Sequence, residues 1–159
     1  MSLKTAAIVA ATLVACAGGA SAATYDFTGN GGAAPSYVFD DLTVTGHWGT
    51  GTFLESSAKV NQSAAGLGVT HFLDANPGQI DRALNESLRF SFADEVELSG
   101  LSFGGYDQFD DFSLVVDGDY ANAYKFSFAD GNPLSGLSLT GTIFSIIASV
   151  DAGDFFNGG

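Results

Sequence analysis

The sequence predicts a single all-β domain built as an antiparallel β-sandwich of the jelly-roll kind. Three observations predict it. Apolar and polar residues alternate along several short segments, turn signals rich in Gly and Asp separate those segments, and no helical period of useful length follows Ala23. The segments recur at intervals of about a dozen residues, which is typical of sandwiches and jelly rolls. A small closed barrel is the alternative architecture.

The first 22 residues have the three parts of a bacterial secretory signal peptide. One positive charge, Lys4, precedes an uncharged apolar run over residues 5–17, and Ala20-Ser21-Ala22 forms an A-x-A cleavage site. The apolar run is shorter than the roughly 20 residues that span a bilayer. We therefore expect cleavage after Ala22, export of the protein, and one β-sandwich domain over residues 23–159.

The same segment contains a second processing signal. Leu13-Val14-Ala15-Cys16 matches the lipobox of bacterial lipoproteins, in which the Cys thiol is acylated after cleavage. A lipid anchor at Cys16 is therefore the alternative to cleavage after Ala22. By either route we expect the protein to be secreted, periplasmic or attached to the cell surface. Cleavage after Ala22 would remove the single Cys, and the mature chain would then contain no disulfide.

The alternation of apolar residues gives the position of each strand. In chain order, strands are predicted at residues 25–28, 42–47, 58–62, 87–92, 96–103, 112–116, 125–128 and 142–150. In the segment 87–92, for example, Leu88, Phe90 and Phe92 alternate with polar residues. Asp117-Gly118 is a turn signal, because both residues tolerate a positive φ.

Composition and charge exclude one class of partner. The chain carries 18 Asp and Glu residues against 5 Lys and Arg residues, which gives a formal net charge of −13 at pH 7. So few basic residues cannot neutralise a track of phosphates, and we expect no binding of nucleic acid. Apolar residues make up 46% of the chain and include 14 Phe, which is enough to bury a core and argues against disorder.

Several short segments occur together in a combination typical of one family. The signal peptide leads into Tyr25-Asp26-Phe27, and the other segments are Gly66-Leu67-Gly68-Val69, Gln79-Ile80-Asp81, and residues 86–92, 96–103 and 107–117. The combination resembles the ectodomains of bacterial surface proteins sorted by exosortases, the PEP-CTERM and VPLPA-CTERM proteins. The resemblance implies an exported β-rich domain of the cell surface or extracellular matrix, associated with extracellular polysaccharide. Most members have no assigned biochemical activity.

The C-terminal sorting tail of that family has a Pro-containing motif, a transmembrane helix and a basic end. None of these is found in this sequence. Release of the protein in soluble form and a natural chain that continues further are therefore both open, and we expect no membrane span in the mature chain.

Carboxylates in turn segments predict a calcium site. Ca²⁺ takes about six to eight oxygen ligands from carboxylates and loop carbonyls. A sandwich that brings its loops together at one end would place Asp81, Glu86, Asp107 and Asp110 near one another, and we predict these four residues as ligands of one structural Ca²⁺. The alternative is that they are solvated turn residues, since Asp favours turns.

Aromatic residues predict a second kind of site, because aromatic rings stack on the apolar faces of sugars. Trp48 and Tyr106 lie beside Gly-rich turns, and of the aromatic residues we expect these two to be exposed and to bind carbohydrate. The alternative is ordinary packing, since aromatic residues favour strands and cores.

A third alternative is a secreted hydrolase. Residues 100–104 match the G-x-S-x-G pattern of a nucleophile elbow around Ser102. That pattern requires a strand, a turn and a helix, whereas Ser102 lies inside a predicted strand. The sequence thus predicts no catalytic residue. It favours a non-enzymatic surface or matrix protein, with a carbohydrate-binding module as the alternative.

Overall fold

The computed structural model describes residues 7–17, 23–49, 56–72, 78–81, 85–105 and 110–148. Within these residues the chain forms twelve strands whose pairings are all antiparallel, and this confirms the predicted all-β sandwich-like fold. None of the helices in the described part of the chain is long and apolar enough to cross a membrane.

The strands, in chain order, are β1 (Ala7–Ala17), β2 (Ala23–Asp26), β3 (Gly32–Ala34), β4 (Ser36–Phe39), β5 (Leu42–Trp48), β6 (Ser56–Ser63), β7 (Gly66–Thr70), β8 (Ile80–Asp81), β9 (Ser87–Gly104), β10 (Asp111–Val116), β11 (Tyr124–Ser127) and β12 (Leu134–Ile147). Two short 3-10 helices, Tyr120–Asn122 and Phe128–Asp130, flank β11.

The long strand β9 organises the sheet. Its first half, residues 87–92, lies between β5 and β12, and its second half, residues 96–104, lies between β1 and β12. The sequence predicts two strands here, but the structure has one. The exposed residues 93–95 lie at a shift in the β9–β12 register, and such bulges bend a strand without ending it.

The strand pairings form a closed path around an apolar core. β9 pairs with β5, β5 with β6, β6 with β7, β7 with β1, and β1 again with β9. Most of the buried apolar side chains in the described residues belong to one continuous cluster. Its largest fully buried members are Phe27, Phe90, Phe112 and Phe144. Phe90, which alternates with polar residues in the predicted strand 87–92, is thus part of the core.

Residues 7–17, which the sequence assigns to the signal peptide, form β1 in the uncleaved chain. Ala10, Leu13 and Ala15 are buried. A register shift between Ala10 and Thr12 leaves an extra residue in the strand, which lets Ala10 and Leu13 face the same side although they are three positions apart. Cleavage after Ala22 and acylation of Cys16 stay predictions, and the side chain of Cys16 lies outside the described part.

Strand β7 is not among the predicted strands, because its two glycines interrupt the alternation of side chains. The packing around β7 explains why position 68 is a glycine. A Cβ atom there would collide with the backbone of Gly78, which packs directly against β7. Val69 N donates to Gln79 O at 2.7 Å, and Gly78 N donates to Val69 O at 3.1 Å. Glycine at position 68 therefore allows residues 78–79 to hydrogen-bond along β7.

Candidate functional site

Four residues meet at one end of the sheet, and we call them the Trp48 cluster: Trp48, His71, Phe72 and Glu86. Trp48 is the last residue of β5, His71 and Phe72 directly follow β7, and Glu86 directly precedes β9. His47 lies opposite Ser87 in the β5–β9 ladder, so Trp48 and Glu86 lie at the same end of neighbouring strands.

The alternation of side chains turns three of these residues towards the interior. Residues two apart on a strand share a face. Val44 on β5, Val69 on β7 and Leu88 on β9 are all completely buried. Trp48, His71 and Glu86 lie an even number of positions from these residues, so they continue the inward faces of their strands. The Trp48 cluster therefore closes one end of the core.

His47 lies on the other face of β5 and is not part of this cluster. Its Nε2 atom is 2.9 Å from the hydroxyl oxygen of Thr45, two residues earlier on the same face. The sequence places His47 at a strand end, and the structure confirms that position.

Glu86 and His71 form a buried pair. His71 Nε2 lies 3.2 Å from Glu86 Oε1, and the side chains are 3% and 1% exposed, respectively. A carboxylate that has been removed from water is costly unless a partner compensates its charge. The contact becomes an ion pair when the imidazole carries both of its protons. His71 thus supplies a partner of matching chemistry for a carboxylate that the fold takes out of water.

The imidazole of His71 also stacks on the indole of Trp48. The ring centroids are 4.4 Å apart and the planes differ by only 10°. Trp is the aromatic residue that attracts a cation over its face most strongly, so protonation of His71 would strengthen the stack. Glu86, His71 and Trp48 therefore form a continuous series of contacts in which the buried carboxylate positions the imidazole and the imidazole supports the indole.

Phe72 completes the cluster on the outside. Its side chain is 83% exposed, and its ring stands at 87° to the half-buried indole of Trp48 with the centroids 5.9 Å apart. Large apolar side chains that stay in water next to one another often mark a binding surface. Trp48 and Phe72 together form an L-shaped aromatic surface, one arm of which is supported from below by His71.

The predicted calcium ligands are only partly described. Glu86 is buried against His71, and Asp110 is buried immediately before β10. Asp81 ends β8, but its side chain lies outside the described part, as does the whole of Asp107. Within the ranges that the structure describes, no three His, Cys, Asp or Glu side chains are grouped so that they could hold a metal ion. The calcium site stays a prediction.

Of the two predicted carbohydrate-binding residues, Trp48 lies at the centre of the cluster and Tyr106 lies outside the described residues. Sequence reasoning did not select His71 as the partner of Glu86, and it did not select Phe72. The adjacent His and Phe directly after an apolar segment were a visible signal. However, the contacts depend on three separate chain segments, and no spacing in the sequence relates those segments.

Ser102, the serine of the G-x-S-x-G pattern, lies inside β9. It pairs with Thr12 of β1, and the strand continues to Gly104. A nucleophile elbow needs a sharp turn from strand to helix at the serine, and this position has neither.

Comparisons of the chain with protein-family models, with curated proteins and with solved structures found no match. The resemblance to exosortase-sorted surface proteins accordingly stays a prediction.

Proposed function

We propose that the protein is an exported, non-enzymatic component of the cell surface or extracellular matrix, and that its Trp48 cluster binds polysaccharide. The observation that carries this proposal is the pairing of exposed Phe72 with half-buried Trp48. Sugar rings present apolar C–H faces that stack on aromatic rings, and an L-shaped pair of rings contacts a sugar from below and from one side.

The support beneath Trp48 favours binding. The indole is stacked on His71, and His71 is positioned by a buried carboxylate, so little freedom of the indole remains to be lost when a ligand binds. Ordering a side chain on binding costs about 0.5–1.5 kcal/mol, and a ring that is already ordered avoids most of that cost.

The charge of the chain indicates which polysaccharides it binds. A formal net charge of −13 repels acidic polymers over the range of the Debye length, which is about 8 Å at physiological salt. The ligand we propose is therefore a neutral polysaccharide. Export, on which this function depends, rests on the predicted signal peptide.

The placement of Ser102 supports a non-enzymatic function, since the serine lies within a continuous ladder and lacks the turn of a nucleophile elbow. The hydrolase alternative would need turnover of an ester or glycoside that is lost when one serine or carboxylate is changed.

The proposal is tested by affinity electrophoresis through gels that contain neutral glucan, xylan or mannan, with alginate as an acidic polymer. We expect at least one neutral polymer to retard the protein and alginate to leave its mobility unchanged. Trp48→Ala and Phe72→Ala should each weaken retardation about tenfold or more. Tyr124→Ala is the matched control, because Tyr124 is an exposed aromatic residue on β11, away from the cluster.

Phe72→Ala is the decisive variant, since an 83% exposed side chain can be truncated with little effect on folding. The proposal is wrong if no neutral polymer retards the protein. It is also wrong if Phe72→Ala is retarded as strongly as the unchanged chain and the control Tyr124→Ala.

A further inference from the structure

Strand β1 lies within the sheet of the uncleaved chain, yet it belongs to the segment that the sequence predicts to be removed on export. Along one edge, residues 9–17 pair with residues 96–104 of β9. Along its other edge, β1 pairs in turn with β8, β7 and β2. Removal of β1 would leave a gap one strand wide between β9 on one side and β8, β7 and β2 on the other. We call this gap the strand slot.

The strand slot has apolar walls. In the presence of β1 the side chains that face the core on both sides of it are at most 5% exposed: Leu67, Val96, Leu98, Leu101 and Phe103. Without β1 these side chains lose the contacts of Ala10, Leu13 and Ala15, and the edges of the gap present unpaired N–H and C=O groups. Such an edge is a template for pairing with another strand.

We propose that the strand slot of the mature chain, residues 23–159, is a receptor for an extended peptide segment of a partner protein, which binds antiparallel to β9. Strand β1 shows the chemistry of that segment. Its inward positions are small at Ala10, large and apolar at Leu13, and small again at Ala15. The partner segment is therefore uncharged, with one large aliphatic side chain between two small ones.

The chain's own strand β2 is held away from the slot. Its Tyr25 hydroxyl is hydrogen-bonded to Asp41, and the ring of Phe27, directly after the strand, packs against Phe39 and Phe90. Strand β2 is also antiparallel to β1, which is itself antiparallel to β9, so β2 runs in the wrong direction to take over the ladder. Among the described residues, a second mature copy would bring another open edge and no strand outside its own sheet. These observations favour a partner segment as the occupant.

This inference rests on the predicted removal of the signal peptide and not on the polysaccharide site. Strand β7 contributes to both sites, but at different residues: the Trp48 cluster uses His71 and Phe72, directly after the strand, whereas the slot is lined by Leu67 and by residues 96–104 of β9. The uncleaved chain keeps β1 in the slot, so its retardation in polysaccharide gels tests the polysaccharide proposal without testing the strand slot.

The experiment begins with the folded full-length chain. A site for a specific protease is placed within residues 18–22, and the chain is cut there after folding. The cut protein is incubated with a fluorescent peptide that covers residues 7–17 and carries Cys16→Ser. Fluorescence anisotropy then reports exchange of the resident strand. Hydrogen exchange reports protection of the slot-facing amides, which are those amides of residues 96–104 that do not hydrogen-bond to β12 or to Asn132. A scrambled peptide and a peptide with Leu13→Asp are the controls.

We expect the labelled peptide to replace the resident strand and both control peptides to bind at least tenfold more weakly. The slot-facing amides should be protected only while a peptide is bound. If the cut protein unfolds when its leader is washed away, recovery of structure with the labelled peptide and not with the scrambled one supports the proposal equally.

Three results would overturn it. The first is a mature chain that stays monomeric with its slot-facing amides protected and no peptide bound, which would mean that the slot closes by itself. The second is a dimer that protects the slot-facing amides. The third is equal binding of all three peptides, or recovery of structure with none of them.

Discussion

The phenolic hydroxyl of Tyr25 donates a hydrogen bond of 2.5 Å to Asp41 Oδ1, and this contact ties β2 to the turn between β4 and β5. Burial of the phenol, together with the hydrogen bond to Asp41 and the negative charges of Asp41 and Asp40, raises the pKa of Tyr25 to about 12. The first strand after the predicted cleavage site is thus held by a group that must remain protonated.

This contact predicts a loss of stability at alkaline pH. Tyrosine in the unfolded chain has a pKa near 10, so the folded state holds the proton more tightly than the unfolded state. The resulting stability is fully present below pH 10 and is lost as the pH rises through about 12. Chemical denaturation of the wild type between pH 9 and about 11.5 should show that loss. Tyr25→Phe should remove most of this alkaline loss, and it should lower the free energy of unfolding by about 1 kcal/mol at neutral pH. Tyr124→Phe serves as the control, and an identical alkaline loss in Tyr25→Phe would contradict the prediction.

Asp117 anchors the turn after β10 to β12. Its Oδ1 atom accepts hydrogen bonds from Thr142 N at 2.9 Å, Thr142 Oγ1 at 3.0 Å and Ile143 N at 2.8 Å. Partial burial alone would raise the pKa of Asp117, but the hydrogen bonds from Ile143 and Thr142 outweigh it and lower the pKa below 3.8. The stability from this carboxylate is therefore present above the pKa of the unfolded chain and is lost as the pH falls through the lower folded value.

Asp117→Asn should destabilise the protein by about 1–2 kcal/mol at pH 7, since hydrogen bonds to a charged acceptor are stronger than those to a neutral one. Asn tolerates the φ of 49° at this position, so the substitution tests the charge without straining the turn. Urea melts at pH 7 and at pH 3 measure the effect. We expect the difference between variant and wild type to shrink at pH 3, and a constant difference would show that the carboxylate charge is not its source.

The close approach of β7 to residues 78–79 predicts that Gly68→Ala is destabilising. The added methyl group would occupy the position of the Gly78 backbone, so the segment must move away from Val69 and lose two hydrogen bonds. We expect a loss of about 1–3 kcal/mol, in the range typical of overpacking. Thermal melts measure the change in stability. Gly105→Ala is the control, because a Cβ atom at that position meets no neighbour. Its φ of 72° adds backbone strain, so the control isolates the effect of the collision at Gly68 from that of the backbone conformation.

The single Trp makes the Trp48 cluster directly observable, because all tryptophan emission comes from this site. The imidazole of His71 covers one face of the indole, with the ring centroids 4.4 Å apart. His71→Ala would remove this cover and open the indole to water, and we expect the emission maximum to move to longer wavelength. His47→Ala is the matched control, because His47 contacts Thr45 on the other face of β5. An unchanged emission maximum in His71→Ala would contradict the prediction.

The strand pattern could be predicted from the sequence wherever side chains alternate between a buried and a solvated face, as at Leu88, Phe90 and Phe92. The turn at Asp117 and Gly118 was predicted for the same reason that it forms, since both residues adopt a positive φ. Strand β7 was missed because Gly66 and Gly68 have no side chain with which to show alternation.

The site was harder to predict than the fold. Trp48 was selected because it lies beside a Gly-rich turn, but the contact between Glu86 and His71 depends on how two separate segments reach the same end of the sheet. The register of the sheet determines which residues of the two segments meet there. Register is a property of the assembled ladder and not of either segment alone. Likewise, the apolar run over residues 5–17 predicts a signal peptide. Its length and composition give no sign that it would pair with β9.

The position of β9 also sets the order in which the protein can fold. Both halves of this strand pair with β12, which ends at residue 147, while their other partners are residues 42–47 and residues 9–17. Folds dominated by pairings so distant along the chain form slowly, over milliseconds to seconds. The ladder that joins all parts of the sheet is completed only when almost the entire chain has been synthesised. A ribosome-bound chain therefore cannot pair β9 with β12 until late in its synthesis, and the central strand keeps one open edge until then.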